Sequence, residues 1–230
     1  MPRFAVIGLG RFGKSLATHL TAGGAEVMAF DADRRVVENI KDEVTMAVTL
    51  DATDEHALEA QNLEKVDAAI VCIGESFEAN QLATLHLKNI GVKRVIAKAK
   101  TTTQRHILQR IGADEVISPE EEMGAKLASH LLHPLALEMI PLADGFSIME
   151  IRAPADFAGK ALQDLKLRQR HAINVVAIKR HYPPESEGAS PILASVDNLP
   201  SPATLIEEHD ILIVIGHEDE LRKLGEYSGG

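Results

Sequence analysis

The residues of this 230-residue chain best placed to do chemistry are three glycines and one acid. Gly8, Gly10 and Gly13 are spaced G-x-G-x-x-G, and Asp31 follows about 20 residues further on. The first glycine permits a tight turn, the second lets backbone approach a phosphate, and the third lets a helix pack against a strand. A helix opening at that point aims its unpaired N–H groups at an anion. An acid at the end of the next strand is where a ribose hydroxyl pair is held. The chemistry implied is the binding of a nucleotide. Further polar groups fall near the ends of expected strands. Asp51 and Thr53 follow one, although Thr53 or Asp54 serves equally as the N-cap of the helix after it. Gly74 ends another. Lys98 stands near the carboxyl end of a third, where it reaches a phosphate or ribose or is simply solvated.

Strands and helices in alternation must position these residues. An apolar strand begins at Phe4 and runs into the glycine turn, and residues 14–20 continue with helical spacing. Strands follow over 26–30, 45–50, 67–74, 92–99 and 115–118, with helices over 33–41, 55–61, 76–88 and 103–111 between them. Short connections and repeated alternation predict an α/β fold with a Rossmann-like, doubly wound parallel sheet. Pro119 starts a further helix, expected to reach about His133, whose early acids, Glu120 among them, complement its dipole. Met123, Leu127, Leu131, Leu132 and Leu135 lie near helical spacing along it, an apolar stripe that predicts a homodimer. His130 and His133 sit at i and i+3 without further metal ligands beside them.

From Phe146 the texture changes to short strands at 147–152, 174–180 and 210–216, with one helix over 157–167 and a last one over 219–224. A turn with Pro183, Pro184 and Gly188 fills 181–190. This is a small α+β lobe without a second glycine fingerprint, and the expected domains are 1–135 and 136–230.

Composition limits the partners. With 45% apolar and 25% charged residues the chain buries a core and is not disordered. A net charge of −10 opposes binding to a nucleic-acid polymer, and 3% aromatics with no Trp oppose a base-stacking platform. The one cysteine, Cys72, sits in an apolar run and packs as a small hydrophobe. No signal-peptide pattern opens the sequence and no apolar run is long enough to span a bilayer, so a cytoplasmic protein that is not itself membrane-inserted is expected.

Gly8-Leu-Gly-Arg-Phe-Gly13, Asp31, Asp51-Ala-Thr53, Ile73-Gly74, Lys98-Ala99, Ile111-Gly-Ala-Asp114, Ser118-Pro-Glu120 and Glu208-His-Asp-Ile-Leu-Ile-Val-Ile-Gly216 occur in that order. Together they resemble the RCK family (regulators of potassium conductance), in particular the cytosolic gating subunits of Ktr/Trk potassium transporters, in the single-copy Ktr form. The resemblance covers nearly the whole chain, as an RCK-N lobe followed by an RCK-C lobe. It implies a phosphate loop of Gly8, Gly10, Arg11, Phe12 and Gly13, a ribose held by Asp31, and Asp51, Ala52, Thr53, Ile73 and Gly74 around the adenosine. It implies Lys98 near ribose and phosphates, and Arg11 reaching a terminal phosphate across a subunit interface, where a triphosphate offers charge for a guanidinium fork. Glu120 resembles an acid that helps hold a divalent cation, such as Mg or Ca, between paired subunits. The implied ligands are ATP and ADP, with NAD(H) as an alternative. The implied assembly is an octameric ring of dimers against the inner face of the membrane, gating a potassium transporter subunit. In some relatives the second lobe binds cyclic di-AMP, and Leu167-Arg168 with residues 173–178 resembles the lining of that pocket.

Two other classes compete. An NAD-dependent oxidoreductase would use the same glycines and Asp31, but the remaining lobe is small and no His or Lys stands out as a base near a strand end. A dinucleotide-sensing DNA-binding repressor would need a basic helix-turn-helix segment, which the charge balance disfavours.

Overall fold

The computed structural model describes residues 1–132, 135–182 and 192–225. Strands β1 (Arg3–Ile7), β2 (Glu26–Asp31), β3 (Met46–Thr49), β4 (Ala68–Val71), β5 (Val95–Lys98) and β6 (Glu115–Ile117) alternate with helices α1 (Arg11–Ala22), α2 (Arg34–Glu38), α3 (Glu55–Glu59), α4 (Phe77–Ile90) and α5 (Thr102–Arg110). Every pairing is parallel and the order is β3-β2-β1-β4-β5-β6, the doubly wound sheet that the alternation predicts. Strands covered on both faces read as continuous apolar runs, and β4, Ala-Ala-Ile-Val, is buried at every position. One face carries Ile7, Phe30, Leu58, Leu87 and Leu108. The other carries Val6, Ala17, Val37 and Ile40. The direction of strand order reverses between β1 and β4, which opens a crevice at the carboxyl edge of the sheet.

The chain divides into two compact units, Met1–Met123 and Gly124–Gly230, and the division falls within α6 (Pro119–Leu132). The helix of residues 14–20 starts earlier, at Arg11, so Gly13 belongs to its first turn. In the second unit β7 (Ala136–Pro141), β8 (Phe146–Arg152), β9 (Asn174–Tyr182), β10 (Ile192–Asp197) and β11 (Ile211–His217) form an antiparallel sheet ordered β10-β9-β11-β8-β7. The short helices α7 (Leu162–Leu165) and α8 (Leu167–His171) and the last helix, α9 (Glu218–Gly225), complete it.

Three expectations are corrected here. The single helix over 157–167 is instead a 3-10 turn at Ala155–Phe157 followed by α7 and α8, because Gly159 and Lys166 adopt positive φ of 77° and 51°. The broken path lets Phe157, Leu165 and Leu167 each reach the core. Two strands were not anticipated, β7 and β10. Both are edge strands, and Pro141, which reads as a stop, is tolerated where no neighbouring strand needs its N–H. Leu135 does not extend the apolar stripe of α6 but packs against the core of the second unit. Of the expected turn at 181–190, residues 183–190 lie outside the described residues, as does His133.

Candidate nucleotide site

The glycine loop shows why glycine is needed at two of its three positions. Gly8 has a φ of 92°, and a Cβ there would lie 2.8 Å from the backbone N of Ile73. A Cβ on Gly13 would overlap the carbonyl oxygen of Gly8 and stand 3.1 Å from the Cβ of Cys72. Gly10 differs, since a Cβ there would meet nothing within 4 Å among the described residues. Its surroundings are open, which is what close approach of a phosphate requires. Gly10 is also the N-cap of α1 and supplies no side-chain bond, whereas Asp33, Ser76, Asp54 and Thr101 cap α2, α4, α3 and α5 by accepting backbone N–H groups. The first-turn N–H groups of α1 are thus left for an anion. Asp54, not Thr53, is the cap of α3.

Asp31 ends β2 beside this loop. Its Oδ2 accepts the Leu9 N–H at 2.7 Å and its Oδ1 the Asp33 N–H at 2.8 Å. Each oxygen retains a second lone pair for a ribose hydroxyl. Across the crevice, Asp51 Oδ1 accepts both the N–H and the hydroxyl of Thr53, at 2.9 and 2.8 Å. Those bonds hold the Asp51 carboxyl below its ordinary range.

A cleft of about 410 Å³ joins these groups, and Gly8, Gly10, Asp31, Asp51, Ala52, Thr53, Ile73 and Gly74 all line it. Leu9, Ala32, Asp33, Glu75 and Ser76 line it too and were not anticipated. Asp33 and Ser76 were read only as the starts of helices, and their position at the cleft comes from the structure. Arg11 lies outside the cleft, in an adjoining groove with Lys14, Ser15, Thr18 and Asn39. Gly13 is buried, and Phe12 packs half-buried against the core. Cys72 also borders the cleft, and burial pushes its thiol up to about 12, so it stays protonated and unreactive.

Lys98 is not on the cleft wall. Its Nζ pairs with Glu120 Oε1 at 2.5 Å and stands 5.5 Å from the centre of the Phe12 ring. Lys98 is 9% exposed and Glu120 68%. The ammonium hydrogen bond holds the Glu120 carboxyl below its ordinary range. Glu120 is already engaged, and the described residues bring no group of three His, Cys, Asp or Glu ligands together. In the second unit Leu167, Ile173 and Ile178 belong to the core, which leaves Arg168, Asn174 and Val176 at its surface.

Comparison with known proteins shows the family. Residues 4–119 match the TrkA-N domain and residues 147–229 the TrkA-C domain. The chain is 38% identical over 220 residues to Ktr system potassium uptake protein C of Bacillus subtilis, across 96% of this chain and 94% of the relative. It is 34% identical over 221 residues to Ktr system potassium uptake protein A of the same organism, across the same shares. In fold it resembles the GsuK channel bound to NAD, with a TM-score of 0.60 at 18% identity over 96% of this chain and 38% of that one. Among the described residues no helix is long and apolar enough to cross a membrane. The chain therefore belongs to the family built from TrkA-N and TrkA-C domains, the RCK family, as a single-copy regulatory subunit of a potassium transport system rather than an enzyme.

Proposed function

We propose that the chain senses adenine nucleotides, assembles into an octameric ring of dimers and gates a membrane potassium transporter according to whether ATP or ADP is bound. The observation that carries the nucleotide reading is the uncapped N-terminus of α1 at Gly10, with open space above it and the Asp31 carboxylate beside it. Anion and ribose are thereby offered complementary groups at one edge of one sheet. The acids of the cleft, Asp31, Asp33, Asp51 and Glu75, mark the nucleoside end, while Arg11 and Lys14 stand in the groove beyond Gly10. The roles of Lys98, near ribose and phosphates, and of Glu120, at a cation shared between chains, are carried over from the family resemblance alone. So is cyclic di-AMP as a ligand of the second lobe. NAD(H) is the alternative occupant. The place of action is the cytoplasmic face of the membrane, through the transporter. The test is calorimetric titration with ATP, ADP and NADH, each with and without a divalent cation. Binding of none of them would overturn the reading.

Arg11 supplies the discrimination. It is exposed, outside the cleft and unpaired among the described residues, so its guanidinium can meet a terminal phosphate, including one held by a second chain. Arg11→Ala is expected to narrow the affinity gap between ATP and ADP by about 1 to 3 kcal/mol, the scale of a hydrogen bond to a charged group. A gap unchanged from that of the parent would exclude the role.

For assembly, Met123, Leu127, Leu131 and Leu132 on α6 are 63, 56, 73 and 72% exposed. An apolar stripe of this kind needs cover, and a second copy of the same helix supplies it. Light scattering is expected to give a mass near eight chains, and small-angle scattering different ring dimensions with ATP and ADP. Regulation requires the two nucleotides to favour different ring shapes, because a ligand with equal affinity for both shifts nothing. Superimposable curves, or a stable monomer at micromolar concentration, would sink the mechanism.

A further inference from the structure

We infer that His86 is a positioning residue for the nucleotide cleft: its imidazole fixes the wall formed by residues 51–53 where a bound nucleoside meets it. This rests on the cleft being the nucleotide site proposed above. The wall is a short loop between β3 and α3. Its local bonds run from Thr53 to Asp51 and from the Asp54 N–H to the Asp51 carbonyl, at 3.1 Å. They give the loop its shape but do not anchor Thr53 to the rest of the fold.

The anchor comes from α4. His86 Nε2 lies 3.2 Å from the Thr53 carbonyl oxygen. A carbonyl only accepts, so Nε2 carries the hydrogen and donates it. The helix behind it is firm, with Ala83 and Leu87 fully buried against the sheet. The other ring nitrogen, Nδ1, is buried, has no hydrogen-bond partner among the described residues and lies 3.6 Å from Glu55 Oε2, at the start of α3. Asn89, one turn along α4, donates to the second oxygen of Glu55 at 3.2 Å. One helix thus grips both the last cleft residue of the wall and the first residue of the helix after it. A buried ring nitrogen without a partner is unfavourable, so packing alone is better served there by an apolar side chain. What an apolar side chain cannot do is donate to Thr53.

Without that bond the loop samples positions in which Thr53 and Ala52 no longer meet the ligand. Apparent affinity then falls by the fraction of time that the wall is in place. Glutamine and asparagine separate the two ring nitrogens, because a Gln side chain puts its amide nitrogen where Nε2 stands and Asn puts its own where Nδ1 stands. ADP is titrated calorimetrically into the full chain and into His86→Gln, His86→Asn and His86→Leu. His86→Gln is expected to bind within about twofold of the parent, and the other two about fivefold to tenfold more weakly, the scale of one lost hydrogen bond. Should His86→Asn fail to fold, His86→Leu carries the same comparison. Parent-like binding by the variants without the donor overturns the inference, and so does equal weakness of Gln and Asn. A parent that binds no nucleotide overturns the proposed function itself and this inference with it.

Discussion

Gly13→Ala should abolish nucleotide binding and leave the first unit poorly folded. The added methyl would enter the carbonyl oxygen of Gly8, which is backbone and cannot rotate aside, and would press on Cys72 within β4's exit. Ordinary overpacking against side chains costs about 1 to 3 kcal/mol. A clash with main chain at the junction of β1 and α1 should exceed about 3 kcal/mol, a large share of the roughly 5 to 15 kcal/mol that holds a domain together. Gly10→Ala is the matched control. Its Cβ meets no atom of the described residues within 4 Å and its φ of −62° suits alanine. That variant is expected to unfold at the parent temperature and still to bind nucleotide at least tenfold more weakly, about 1.4 kcal/mol, because the methyl occupies space that a phosphate needs. Thermal unfolding and calorimetry on both variants decide the matter. A Gly13→Ala protein as stable as the parent would show that helix and strand do not meet as described.

The second large effect belongs to Asp31. Asp31→Ala removes the acceptor of the Leu9 N–H, a donor in a residue only 3% exposed, as well as the acceptor proposed for both ribose hydroxyls. An orphaned buried donor costs about 1 to 3 kcal/mol, and each hydrogen bond to a charged group contributes about 1.5 to 3. Affinity for ATP, ADP and NADH should therefore fall together, by about a hundredfold or more. A 2′-phosphate placed against this carboxylate is repelled, so NADPH should bind the parent poorly and lose little in the variant. Tight NADPH binding by the parent, or a loss confined to one nucleotide, would contradict the role given to Asp31.

The doubly wound sheet was legible because its signals are local. Apolar runs at β1, β2 and β4, glycines at the turns and the Thr53-Asp54 pair ahead of α3 each act within a few residues. The eight residues named from the sequence that line the cleft stand at a strand end or within four positions after one. Three things were not legible. The break between α7 and α8 depends on Lys166 taking a left-handed conformation that no glycine announces. β7 and β10 are edge strands, where half of the pairing that defines a strand is missing and a proline is harmless. His86 reaches Thr53 across 33 positions of sequence, a distance at which spacing carries no information. Lys98 was placed correctly at the end of β5, but its pairing with Glu120 joins two elements that sequence alone does not bring together.

Strand β1 lies in the middle of its sheet, with residues 3–7 in register with residues 26–30 on one side and residues 4–7 with 68–71 on the other. The glycine loop hangs from the end of that strand, and Cys72 and Ile73 press on it from β4. During synthesis, then, the phosphate loop is finished long before the strand that holds it in shape has emerged. A nascent chain stopped ahead of residue 68 carries every glycine of the fingerprint and has no site. Pairing of such sequence-distant strands is slow, because the intervening loop must close before any contact rewards it. Once folded, a nucleotide that binds only the closed arrangement protects it by mass action. Under the proposed function, supply of the nucleotide and survival of the newly made subunit are linked in this way, so a cell poor in the nucleotide would hold less of the protein.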